Sequence, residues 1–177
     1  MTAYPVTGII GANPVSAAAS TTAGFKPGTV IGLDDGSRWI YCSIPSGTTI
    51  IQHAVYALAS GGNSTSNVAA VTSTIGLRGC ALCIAQQAVT SDASNTQYMW
   101  FLVSNPRAVT DYKVRVAASC AIDAKLATTA NAGTLDDTTA GSVLRVDGIV
   151  ITDSQPSGSS GSRTFRTSTF PLGWGAV

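Results

Sequence analysis

The chain has 177 residues, 45% of them hydrophobic and 11% charged, and its formal net charge is +1. A mean hydropathy of +0.26 excludes global disorder, the near-neutral balance removes the electrostatic case for nucleic acid or an anionic membrane, and the length suits one domain with arms. An average soluble domain is about 25% charged. Here the stretch between Arg38 and Arg107 holds two formal charges, Arg78 and Asp92. Free monomers use charge to stay soluble and to keep strand edges apart. A chain that omits it is expected to live with its surface covered, as a building block of a larger assembly.

Residues 1–26 read as an N-terminal arm. No formal side-chain charge precedes Lys26, and Tyr4, Val6, Ile9 and Ile10 are isolated apolar anchors among Gly and Pro. The segment lacks the basic start of a secretion signal, and Pro5 and Pro14 interrupt any apolar run. No window offers the roughly 18 uninterrupted apolar residues of a membrane helix.

Residues 27–153 read as an all-β core, a compact barrel or sandwich of β-tulip type. Thr29–Leu33, then Asp34, Asp35 and Gly36, then Arg38–Ile44 make a strand–turn–strand signature. Pro45, Ser46 and Gly47 turn the chain again. Ile51, Ala54, Val55 and Leu58 lie at helical spacing, as do Ala117, Ala121 and Ala124. The β-branched and aromatic neighbours favour strand in both places, with room for one short helix. Val68–Thr72 and Arg78–Val89 are further strand candidates, and 91–95 reads as a polar loop. Tyr98–Val103 is a continuous apolar run, as in a strand covered on both faces. Tyr112–Ala117 alternates, with Tyr112, Val114 and Val116 on one face and Lys113 and Arg115 on the other. Ser142–Thr152 reads as one long strand with a bulge at Gly148. Ser154–Ser162 is a Gly/Ser linker. Arg163–Val177 reads as a second arm, whose Phe165, Phe170 and Trp174 need a surface to pack on.

Chemistry-bearing motifs are few. Cys80 and Cys83 are spaced as in a redox or zinc site, but no strand–helix context follows and Cys42 and Cys120 stand alone. The expected state is four free thiols, most of them buried as small hydrophobes. A thiol oxidoreductase built on Cys80 and Cys83 is the enzymatic alternative. His53 is the single histidine and has no serine on a G-x-S-x-G elbow to serve. Asp34, Asp35, Asp136 and Asp137 precede turn-like segments, where Asp bonds its own backbone. No catalytic residue, metal, cofactor or small-molecule substrate is expected. Trp39 and Trp100 lie on strands, as core; Trp174 lies beyond the linker, as a docking anchor.

Three stretches resemble the head decoration (cement) proteins of tailed bacteriophages. They are Gly32–Tyr41 (GLDDGSRWIY), then Gly79–Ala88 (GCALCIAQQA) with Tyr98, Met99 and Trp100, and above all Val114–Ile151 with its VAASCA, LATTANAG, LDD and DGIV segments. The resemblance covers most of 28–152 and neither arm, and Met99 stands where the family has Gly. It implies a non-enzymatic virion protein, a homotrimer on the outer capsid surface that clamps neighbouring major capsid subunits. On that expectation the arms carry the partner contacts through Tyr4, Ile9, Ile10, Phe165, Phe170 and Trp174. A fibre-base or receptor-binding module of a virion is the alternative.

Overall fold

The computed structural model describes residues 14–58, 68–70, 81–137, 145–154 and 159–167. The described residues are all β, without helix, and form two sheets of which one nearly closes into a barrel. The strands are β1 (Val30–Gly32), β2 (Arg38–Ile44), β3 (Val55–Leu58), β4 (Val68–Ala70), β5 (Leu82–Ile84), β6 (Gln97–Ser104), β7 (Lys113–Val116), β8 (Leu126–Thr128), β9 (Leu135–Asp136), β10 (Arg145–Val146), β11 (Ile149–Ile151) and β12 (Gly161–Thr167).

The first sheet runs β1-β2-β6-β5-β3-β4, all antiparallel. Its spine is the β2–β6 pair, in register from Trp39 opposite Leu102 to Ile44 opposite Gln97. β4 comes back beside β2, so the sheet curls strongly. The second sheet runs β10-β8-β9-β7-β12-β11 and contains one parallel pair, β7 with β9. Its two ends belong to one run of chain. Arg145 and Val146 pair with β8, while Ile149–Ile151 pairs with β12. That sharing joins the two ends of the second sheet through one run of chain. Gly148, at φ 88°, breaks the run. The single strand expected over Ser142–Thr152 is thus two short strands with different partners, and residues 142–144 lie outside the described set.

Side-chain alternation sends the apolar residues of the first sheet to both faces. Trp39, Tyr41, Trp100, Leu102, Leu82 and Ile84 point toward the second sheet and meet Val114, Val116, Leu126, Leu135, Ile151 and Phe165 there. Ile40, Cys42, Ile44, Met99, Phe101 and Cys83 point the other way into a second core with Ile50, Tyr56 and Val89. The continuous apolar run of β6 is therefore buried on both faces, as the sequence implied. On β7, Val114 and Val116 are buried and Lys113 and Arg115 half-buried, which matches the expected alternation.

Several expectations need correction. The core does not stop at residue 153. β12 lies between β7 and β11 in the second sheet, so Gly161 and Ser162 are strand rather than linker and 163–167 is not arm. Phe165 is fully buried in the chain's own core and is no partner anchor. The described part of the N-terminal arm also folds back. Phe25 packs edge-on against Tyr41 at 5.4 Å, and Val15 and Ala17 lie against the same core. Residues 117–124 are neither strand nor helix but a loop, with Ser119 and Asp123 at φ 64° and 57°. In 51–58 only Val55–Leu58 is strand, after a turn through His53. The run 78–89 shortens to β5 within its described part, and of 68–72 the described part is β4. Loop 91–95 is as expected: Asp92 accepts bonds from the Ser94 and Asn95 amides. A bond from the Asn95 side chain, with those two, holds its carboxyl below the usual range.

Gly133 marks a close approach of the two layers. Its carbonyl accepts the Val55 N–H at 2.9 Å, its φ is 73°, and a Cβ there would lie 2.5 Å from the Ala54 methyl. Gly47 has a similar φ of 77° but open space around it. Gly47→Ala is expected to cost about 1 kcal/mol, the left-handed penalty alone. Gly133→Ala is expected to cost about 2–4 kcal/mol because overpacking adds to that penalty. Urea unfolding midpoints of the two variants check the difference, and equal losses would contradict the tight contact.

Candidate functional site

Of the residues expected to carry partner contacts, Tyr4, Ile9, Ile10, Phe170 and Trp174 lie outside the described residues, and Phe165 is core. The described polar groups gather instead along the seam between the sheets, and three clusters resemble functional sites.

The first is built on His53. Its Nδ1 lies 2.7 Å from the Ser162 hydroxyl of β12. Its backbone N–H donates to Ala85 at 2.6 Å, and its carbonyl accepts the Arg115 N–H at 2.7 Å. One residue thereby touches the first sheet and two strands of the second. Beside it the Gln86 side chain works as a substitute strand. Its amide donates to the Lys113 carbonyl at 2.9 Å and its oxygen accepts the Lys113 N–H at 3.0 Å. The Lys113 ammonium donates to Thr164 at 2.7 Å. A histidine against a serine hydroxyl invites a nucleophilic reading. A base must gain a proton during that step, yet burial and the Lys113 charge both lower the His53 pKa. A hydrolytic site also needs a group that stabilises the resulting imidazolium. Here the charged group acting on the ring is a cation. What the contact does in the fold is tie the 51–54 turn to β12.

The second cluster holds Cys120, Asp136 and Asp137, whose ligand atoms lie within 4.8 Å of one another. Asp137 accepts the Ala121 N–H at 2.8 Å, and Asp136 accepts the Asp137 N–H at 2.8 Å. Burial and the two carboxylates push the Cys120 thiol up to about 11. A neutral thiol and carboxylates engaged with backbone amides close the 117–124 loop onto β9. Asp136 bonds the next backbone amide, as a turn-forming Asp does; Asp137 reaches Ala121 instead, and the turn-like segment 138–141 lies outside the described residues.

The third is the turn between β1 and β2. Gly36, at φ 83°, closes it. Asp35 accepts the Ser37 N–H at 2.8 Å and the Tyr112 hydroxyl at 2.6 Å. The Trp39 indole donates to Ser37 at 3.0 Å, and its ring stands edge-on to Tyr112 at 5.4 Å. Burial, then the bond to Asp35, raises the Tyr112 pKa. The Asp–Gly–Ser–aromatic motif is thus a self-satisfied corner that pins the turn to the segment entering β7.

At the far end of the seam, fully buried Asn105 joins the sheets. Its side-chain amide donates to Phe165 at 2.8 Å and its side-chain oxygen accepts the Val109 N–H at 2.9 Å. Its backbone N–H donates to the Thr167 hydroxyl at 2.9 Å, and its carbonyl accepts the Thr167 N–H at 3.1 Å. Asn105, Gln86, Lys113 and Ser162 carried no signal that singled them out, because each is an ordinary polar residue whose partner lies 27 to 109 positions away.

Cys42, Cys83 and Cys120 are free and buried. Burial, then the neighbouring Cys42 thiol, holds the Cys83 thiol well above its ordinary value. A thiol oxidoreductase needs an accessible, readily ionised cysteine; Cys83 is neither, and Cys80 lies outside the described residues. Comparison with protein-family models, curated proteins and solved structures returns no match.

The native protein is expected to react with a small aromatic disulfide reagent at no more than one of its four cysteines, and at all four in denaturant. Absorbance titration of released thiolate checks this; fast native labelling of two or more would contradict the burial of these thiols.

Proposed function

We propose that the chain is a structural protein of a virion, a decoration or cement subunit. In this reading it sits on the outer surface of an icosahedral phage head as a trimer and clamps neighbouring major capsid subunits. The observation that carries the reading is the charge-poor chain, 11% charged with two formal charges between Arg38 and Arg107. Its stretches resembling decoration proteins point the same way. The fold adds support from its internal economy: the His53 and Asp35 clusters each join one layer to the other, and the Cys120 cluster closes a loop onto its own sheet. Edge strands offer main-chain partners for strand addition. Val30, on edge strand β1, is 46% exposed, and Ile122 is 50% exposed. Modest contacts of this kind gain strength through avidity when many copies sit on one lattice.

The test combines light scattering of the purified chain with co-sedimentation on expanded phage heads that lack their own decoration. The expected result is a trimer that pellets with the shell at a saturating copy number proportional to the three-fold sites. A monomer that stays in the supernatant at every concentration would contradict the proposal.

A further inference from the structure

The nine acidic residues of this chain are all Asp, and His53 is its one histidine. Aspartates ordinarily titrate near pH 4, so among the side chains only an imidazole of ordinary pKa changes charge between about pH 5 and pH 8. This protein has one imidazole, and it sits at the seam between the sheets.

The surroundings of that imidazole are one-sided. The turn that carries it contributes the neutral Gln52, and the end of β5 contributes Ala85 and the neutral Gln86. β7 contributes Lys113, and Arg115, whose amide holds the His53 carbonyl. β12 contributes the Ser162 hydroxyl, with Thr164 held by Lys113. Among the described residues the charge acting on the ring is thus that of the Lys113 ammonium. The backbone is also held in a costly form. His53 has φ 64°, a left-handed conformation that non-Gly residues seldom adopt, and its bonds to Ala85 and Arg115 keep it there.

We propose that His53 is an acid-sensitive latch between the two sheets: its neutral ring closes the seam on Ser162, and its protonation sets a second cation beside Lys113 and loosens the 51–54 turn from β7 and β12. The hydrogen bond is not itself the switch, because a charged ring still donates to the Ser162 oxygen. The switch is the added charge in a half-buried site whose Ser162 partner lies two positions along β12 from the Thr164 that holds the Lys113 ammonium. The sign follows. Burial first and Lys113 second hold the folded-state pKa below 6.5. The native protein then binds fewer protons than the unfolded chain. Stability is full above about pH 6.5 and is lost as pH falls through that value toward the folded-state pKa.

The test uses the full chain, with His53→Asn and Lys113→Gln variants. Asn tolerates the left-handed backbone but does not titrate. The wild-type melting temperature is expected to fall by roughly 2–6 °C between about pH 7.5 and pH 5. In His53→Asn that fall disappears. The single imidazole resonance is expected to titrate below pH 6.5 in the wild type and to move upward in Lys113→Gln. An equal fall in His53→Asn, or a wild-type midpoint at or above 6.5, would overturn the latch. Should His53→Asn fail to fold, an unchanged midpoint in Lys113→Gln would overturn it.

Discussion

Four neighbouring strands, β2, β6, β5 and β3, bury side chains on both of their faces. This double burial is the constraint on which the rest of the structure depends. A sheet with one wet face can tolerate polar alternation; a sheet with two dry faces cannot. The strands must then be apolar at nearly every position, and other chain must cover each face. The second sheet covers one face. The curl of the first sheet, with Ile50, Ala54 and Val89 from its loops, encloses the other. The scarcity of charge in the middle of the sequence is in part a direct consequence, since that stretch supplies the doubly buried strands.

Covering a dry sheet leaves the polar backbone at its margins to be satisfied, and an unpaired buried group costs about 1–3 kcal/mol. The fold meets this demand with side chains acting as backbone. Gln86 pairs with the Lys113 end of β7, which β9 does not reach, Asn105 closes the gap between the end of β6 and β12, and His53 joins the end of β5 to β7 and β12. The same logic accounts for Gly133, where the Val55 amide reaches a carbonyl that no residue with a Cβ could present so closely. Residues that resemble parts of a catalytic site are, in this setting, the closures of a two-layer scaffold.

How far the sequence disclosed this depended on the range of the interactions involved. Short-range patterns were legible: the β1–turn–β2 unit, the alternation of β7 and the dry run of β6 follow from residue periodicity alone. Long-range partnerships were not. Phe165 looked like an anchor on an arm because the Gly/Ser run before it resembles a linker, yet β12 needs only to find β7 and β11 to become an interior strand of the sheet. Ser142–Thr152 looked continuous because periodicity does not reveal that its two halves pair with different strands. The Ala-rich 117–124 segment defeated both helix and strand readings. Its two left-handed residues and the Asp137–Ala121 bond are set by tertiary contact. The polar seam was invisible for the same reason, since pairs such as His53 and Ser162 are separated by 109 positions.

The central claim is that the two sheets form one cooperative unit organised around the doubly buried strands. Native-state hydrogen exchange across a denaturant series tests it most directly. Amides of β2, β6, β7 and β12 should exchange only with global unfolding and share one denaturant dependence, while those of edge strand β1 exchange through local opening. Exchange of β7 and β12 at a lower free energy than β2 and β6, with its own denaturant dependence, would show two independent layers and contradict the account.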